Sequence, residues 1–339
     1  MFNLLDLLKG DEGKKKEISV SSSQKETRFT RYESNPIIIP SGKYPFMARA
    51  VYSPTAIYLD GKVHLLYRAQ ANDGVSTFGY ATSLDGLTID ENLTEPVFIP
   101  TQPFEMSTKP GWNSGCEDPR ITHLGGKLYL TYTAYDGTSP PRVAMSSINV
   151  SDFLNRRWNW ETPRLISPPG VDDKDACIVK NKGDGYIAFH RLGNAMWIDF
   201  LRDLSFPQVK LLTGGIIAQA REDFWDNVKV GIAGPPIQTD QGWLLFYHAV
   251  SNPGFKYKIG AMLLDYSNPR TILARTNEPL LEPEMDYELY GQVPNVVFSC
   301  GAVVMDGTIY MYYGAADSVV CVATMKLSDL NDVFRALRS

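Results

Sequence analysis

The tightest cluster of reactive side chains in this 339-residue chain is Gly115-Cys116-Glu117-Asp118-Pro119-Arg120, where two adjacent carboxylates precede a proline and an arginine. Proline biases the residue before it toward extended backbone, so Asp118 is expected to point in one fixed direction. Glu117, one residue earlier on a strand, is then expected to point to the opposite face. One of the pair is free to serve as a general acid, a group that protonates a leaving oxygen. The competing reading is an Asp-Pro turn with Arg120 in a salt bridge.

A second set is cationic and dispersed: Lys174, Arg191, Lys229 and His248. Brought together, such groups repel one another unless an anion lies among them, and Arg suits an anion that it can grip through two oxygens. No Walker or GxGxxG pattern is present, which argues against a nucleotide and leaves inorganic phosphate as the natural candidate. An acid facing a held phosphate is the equipment for displacement at a glycosidic carbon. In an inverting displacement the acid protonates the leaving oxygen while an activated water attacks from the opposite side. Phosphate in place of water is already nucleophilic and needs no general base, but cations must hold it in line. That chemistry is phosphorolysis.

These residues lie far apart in sequence, and a repeat is what brings them together. Five times an apolar run ends in a turn glycine and resumes as a short aromatic strand, with Gly61, Gly126, Gly185, Gly242 and Gly307 spaced by 57 to 65 residues. Units that recur at such a period and carry strands of alternating polarity cannot bury their apolar faces singly. Five of them closing radially predict an all-β fold, a five-bladed β-propeller. Positions about seven residues after the turn glycines hold Arg68, Thr133, Arg191, His248 and Gly314. Positions about eight to eleven before them include Ser53, Asp118 and the Lys174-Asp175 pair. Equivalent positions should surround one axis, so the titratable groups should converge there. Helical periodicity is confined to Leu4 to Leu8 and Leu327 to Leu337, and the segments after Ala81 and Met145 read as outer hairpins. The expected organisation is an N-terminal extension over 1–30 and a single catalytic propeller over 31–339 with a C-terminal helix.

Composition narrows the function classes. A net charge of -5 and a pI near 5.5 argue against a nucleic-acid partner, which requires a concentrated basic face. The one basic run, Lys14-Lys15-Lys16, sits in a polar N-terminal arm. No apolar run is long enough to span a membrane, and Met1 to Leu8 is too short and too soon interrupted by charge for a secretory signal. Cys116, Cys177, Cys300 and Cys321 lack CxxC spacing and are expected to be free buried thiols of a cytoplasmic protein. His64, His123, His190 and His248 lack ligand spacing, so no metal is expected. His190 should point away from its neighbour Arg191 on a strand and play a structural part.

The stretches GCEDPRITHLGGKLYLTYTAYDG, KDACIVK, FHR, KVGIAGPPIQTDQGWLLFYH, AMLLDYSNP, VPNVVFSCGAVV and YYGAAD resemble glycoside hydrolase family 130, the mannoside phosphorylases and related β-mannosidases, from about Arg31 to Ser328. The resemblance implies a five-bladed propeller with a central site and an inverting phosphorylase acting on short β-mannosides to give α-mannose 1-phosphate. It implies Asp118 as the acid, working through the 3-hydroxyl of the mannosyl unit. It implies phosphate contacts from Lys174, Arg191, Lys229, His248 and Tyr257, and mannosyl contacts from Arg68 and Asp317, to which Ser53, Glu117 and Asp175 are added as sugar-binding candidates. Tyr52-Ser53-Pro54 stands where the family usually carries an Asn, so a sugar or phosphate contact normally made by that Asn is expected to be shortened or lost.

Phosphate is the expected co-substrate, with no cofactor, and a homo-oligomer is compatible with the terminal extensions. The alternative is a β-mannosidase of the same family, which needs a second carboxylate as base; Glu117, Asp175, Glu222 and Glu288 are the available ones. A non-catalytic sugar-binding propeller would have no reason to keep the cations together with Asp118. Acceptor choice is expected to depend on the loops Thr101 to Trp112 and Ala220 to Asp226.

Overall fold

The computed structural model describes residues 27–206 and 212–338; the expected helix at Leu4 to Leu8 and the run at Lys14-Lys15-Lys16 lie outside them. β1 (Thr30–Arg31) comes first. The remaining strands fall into five antiparallel units. Unit one is β2 (Ala50–Leu59), β3 (Lys62–Gln70), β4 (Val75–Ser83) and β5 (Glu91–Asn92). Unit two is β6 (Ser114–Leu124), β7 (Lys127–Tyr135), β8 (Arg142–Asn149) and, after α1 (Val150–Leu154), β9 (Arg164–Leu165). Unit three is β10 (Asp173–Lys180), β11 (Tyr186–Leu192), β12 (Ala195–Leu201) and β13 (Gly215–Ala218). Unit four is β14 (Lys229–Ile232), β15 (Ile237–Thr239), β16 (Gly242–Ser251), β17 (Lys256–Leu264) and β18 (Ile272–Arg275), where β14 and β15 share β16 as partner. After α2 (Asp286–Leu289), unit five is β19 (Val297–Met305), β20 (Thr308–Ala315) and β21 (Val319–Lys326), followed by α3 (Leu327–Arg338).

β1 pairs with β21, so the first described strand is the outer strand of the last unit. It is secured there by Arg31, whose Nε lies 2.8 Å from buried Glu288. The C-terminal helix forms where it was expected. The outer hairpin expected after Met145 instead runs β8 out to Asn149 and turns into α1, whose Phe153 is buried.

The repeat's hairpins form at the expected turns. Asp60 and Gly61 have φ of 48° and 75°, and Asp306 and Gly307 have 47° and 69°, the paired left-handed conformation that two-residue hairpins favour. In unit two it is Gly125, φ 64°, that takes this conformation rather than Gly126. Units one and two also touch through a short parallel pairing of Val75 and Ser76 with Ser114 and Gly115. A Cβ on Gly115 would lie 2.2 Å from the Ser76 carbonyl oxygen, so only glycine permits that approach.

Successive strand residues face opposite sides, and in these units both sides are buried. Leu65 packs with Tyr67 and Tyr312 between units one and five, while its neighbour Leu66 packs with Phe78 and Leu128 between units one and two. Val143 and Ile178 join units two and three, Phe189 and Leu245 join three and four, and Phe246, Val297 and Tyr313 join four and five. Each unit therefore shares one apolar layer with the unit before it and one with the unit after it, and unit five shares its second layer with unit one. This two-sided burial explains why the strands read as nearly continuous apolar runs.

Candidate active site

One backbone irregularity, repeated in several units, makes the site. In β2 the pairing passes from Tyr52–Arg68 to Thr55–Leu66, in β6 from Glu117–Thr133 to Arg120–Thr131, and in β10 from Lys174–Arg191 to Cys177–Phe189. β19 does the same between Phe298–Gly314 and Gly301–Tyr312. Each is a β-bulge, one extra residue on the inner strand, which re-aims side chains and ends regular pairing. Ser53, Asp118 and Asp175 sit in the first three bulges with φ of 48°, 51° and 56°, left-handed conformations that are costly for side chains other than glycine, by roughly 1 to 3 kcal/mol each.

The bulge corrects two expectations. Asp118 is left-handed rather than extended, despite the proline after it. Glu117 does not turn away from Asp118, because the extra residue breaks the strand alternation. Both carboxylates meet Arg68: its Nη2 lies 2.6 Å from Glu117 Oε1 and its Nη1 lies 3.4 Å from Asp118 Oδ1.

Each residue expected in the site lines one cavity of about 250 Å³, together with Tyr52, Val293, Val296 and Phe298. That volume lies below the roughly 300 to 1,000 Å³ of pockets for drug-sized ligands, so it suits one sugar ring and a small anion, with any further substrate reaching outward. The cavity is electrically divided. At one end, Arg68 is fixed by Ser76 Oγ at 2.9 Å and lies over the Tyr52 ring at 4.8 Å. Around it stand Glu117, Asp118 and Asp317. Burial pushes the Asp317 carboxyl up to about 7, with Asp118 adding to the rise and Arg68 opposing it. Burial also raises Glu117, against the pull of Arg68. Lys174 also pulls Glu117 down, so the three carboxyls face Arg68 and, at Glu117, a second cation.

At the other end the cations gather. Lys229 Nζ donates to Tyr257 Oη at 2.7 Å. Arg191 donates through Nε to Asp175 Oδ2 at 2.7 Å and through Nη1 to the Gly193 carbonyl at 2.6 Å. His248 Nε2 lies 3.2 Å from the same Asp175 oxygen. Asp175, expected as a sugar contact, lines the cavity and is the carboxylate to which Arg191 and His248 are joined; it is only 3% exposed. Burial alone would raise its pKa, but Arg191, His248 and Arg120 hold it well below the usual carboxylate range. Burial lowers the pKa of His248, which Asp175 opposes and the charges of Arg120 and Arg191 reinforce.

His190 is structural, as its neighbour's inward direction implied. Its ring nitrogens lie 2.9 Å from Asp173 and 3.1 Å from Asp199, and it is fully buried. The lining residues Tyr52, Val293, Val296 and Phe298 escaped the sequence reading, as did the part played by Arg120 behind them. Tyr52 was hidden in an apolar run; Arg120 was visible in the Glu-Asp-Pro-Arg motif, but its partner lies in another unit. Among the described residues no group of three or more His, Cys, Asp or Glu side chains could hold a metal ion.

Residues 21–336 match the family described as β-1,4-mannooligosaccharide phosphorylase. A β-1,2-mannobiose phosphorylase of Thermoanaerobacter sp. (strain X514) is 37% identical over 88% of this chain and 97% of its own. A 1,2-β-oligomannan phosphorylase of the same organism is 34% identical over 89% and 99%. In fold, the chain is similar to β-1,2-mannobiose phosphorylase from Listeria innocua in complex with β-1,2-mannobiose, with a TM-score of 0.74 at 24% identity over 91% of this chain and 99% of that one. With a match that spans every described strand, the chain belongs to glycoside hydrolase family 130.

Proposed function

We propose that this protein is an inverting phosphorylase that cleaves a mannosyl unit from a short β-mannoside and transfers it to inorganic phosphate, releasing α-mannose 1-phosphate. The observation that carries the reading is the divided cavity, with carboxyls around Arg68 at one end, Arg191, Lys229, His248 and Tyr257 at the other, and Lys174, beside Arg191 in the pairing, near enough to Glu117 to lower its pKa. Asp118 acts as the acid, working through the 3-hydroxyl of the mannosyl unit. Arg68 and Asp317, with Ser53 and Glu117, hold that unit, and the cationic wall holds phosphate in line with the anomeric carbon. Phosphate is a co-substrate, and no other cofactor is required.

A hydrolase would need a free base; Asp317 lines the cavity beside Arg68 and Asp118, where it is assigned to the sugar, and the four other candidates are engaged or distant. Glu117 is bound to Arg68, Asp175 to Arg120 and Arg191, and Glu288 to Arg31 and Tyr313, while Glu222 does not line the cavity. The test is to incubate the enzyme with β-1,2- and β-1,4-mannobiose, with and without phosphate. Sugar phosphate is expected only with phosphate; equal release of free mannose without it would refute the reading.

The apolar layers that link each unit to the next, and the fifth to the first, support five blades of a five-bladed β-propeller. We take residues 31–339 as its single catalytic domain and 1–30 as an extension whose last residue, Thr30, reaches into the fifth blade. Four buried free thiols support a reducing compartment, which we take to be the cytoplasm.

Gly231 gives this reading a local test. A Cβ there would lie 2.4 Å from His248 Nε2 and 2.5 Å from Asp175 Oδ2, so Gly231→Ala must push the two apart. The KM for phosphate is expected to rise about tenfold or more, a loss of about 1.4 kcal/mol in binding, with mannoside affinity kept. Initial rates at varied phosphate would measure it, and an unchanged phosphate KM would count against His248 and Asp175 as part of the phosphate wall.

A further inference from the structure

Arg120 does not reach the cavity wall; its side chain is wholly buried. From there it ties three units together. Nη1 donates to the backbone carbonyl of Asp118 at 2.9 Å, and Nη2 donates to Asp175 Oδ1 at 3.1 Å and to the Ile232 carbonyl at 2.7 Å. The other Asp175 oxygen receives Arg191 and faces His248. One guanidinium and one carboxylate thus connect the left-handed backbone of the acid to the wall that holds the cations. We propose that Arg120 is a positioning residue that fixes the distance and direction between the acid Asp118 and the phosphate held by Arg191 and His248.

The inference rests on the phosphorylase reading. Burying a guanidinium is unfavourable unless it is well paired, and an apolar residue of similar volume often serves stability as well or better. What only the guanidinium supplies at this point is simultaneous donation to β6, β10 and the end of β14. In-line displacement is intolerant of error in that geometry, since a misplacement of about 1 Å can lower the rate about a hundredfold.

The experiment compares Arg120→Met and Arg120→Lys with the wild type, using β-1,2-mannobiose and phosphate. For Arg120→Met the expected result is a kcat about a hundredfold lower, with mannobiose affinity by calorimetry changed only a few-fold, because Arg68 and Asp317 do not touch Arg120. A purely structural role would not separate the two. Histidine NMR adds a second readout. The charged groups facing His248 are Asp175, Arg120 and Arg191, with the Tyr257 and Phe298 rings beside it. Removing the Arg120 charge should let His248 protonate at higher pH, whereas Arg120→Lys should leave that titration in place and lose less turnover.

Wild-type kcat in either folded variant overturns the inference, as does a His248 titration unmoved in Arg120→Met or a mannobiose affinity that falls in step with kcat. If Arg120→Met fails to fold, the kcat of Arg120→Lys decides: an intermediate loss supports positioning and a wild-type value refutes it. Turnover by the wild type that ignores phosphate overturns the proposed function and this inference together.

Discussion

Asp118→Asn is expected to lower kcat for phosphorolysis of β-mannobiose by a factor on the order of 10² to 10⁴, the usual contribution of a positioned general acid. The substitution is nearly isosteric, and Asn tolerates the left-handed backbone that Asp118 adopts at φ 51°. Arg68 keeps its shorter contact with Glu117, so the sugar end of the cavity stays assembled and mannobiose should still bind. Only the transferable proton is lost. A mannoside whose leaving group departs without protonation should therefore recover most of the lost rate, which a general structural defect would not allow. The comparison needs kcat on mannobiose, kcat on an activated aryl β-mannoside, and mannobiose affinity by calorimetry. Wild-type turnover of mannobiose would place the acid elsewhere.

The second large effect concerns Asp175→Asn. A neutral amide would leave Arg120 and Arg191 in the interior without a counter-charge, and breaking a buried pair in this way costs about 3 to 5 kcal/mol. The pH dependence gives the sign. Asp175 has a folded-state pKa held well below its ordinary value, so the stability it supplies is fully present above its unfolded pKa of about 3.9 and is lost as pH falls through the lower folded value. Urea unfolding should show a constant gap between wild type and variant from neutral pH down to about 4, narrowing in more acid solution. A gap that narrows as pH rises would mean that something other than the Asp175 charge sets it.

Much of this site was legible because repetition converts sequence offset into position. The residues seven or so after the turn glycines do stand opposite the inner-strand residues, in the pairs Tyr52–Arg68, Glu117–Thr133, Lys174–Arg191, Gly231–His248 and Phe298–Gly314. What resisted reading was direction. Alternation along a strand has a period of two, and a bulge resets it within one residue, so Glu117 and Asp118 could not be assigned to faces from their adjacency. Partnership across units was hidden as well. Arg120 and Asp175 are 55 residues apart, and nothing local in either segment marks them as a pair. The cationic wall was expected to need an outside anion, but the chain carries one of its own in Asp175.

The recurring bulge has a consequence for how the units of one repeat come to differ. Ser53, Asp118 and Asp175 occupy the same backbone conformation in three successive units, as if one socket had been fitted with three different plugs. The bulge in β19 has the same register shift but no left-handed residue, so the socket depends on the residue it holds as well as on the register of the inner hairpin. A hydroxyl in one unit and carboxylates in two others thus sit on the same kind of turn and face one cavity, so units of a single design present different chemical groups to a shared space.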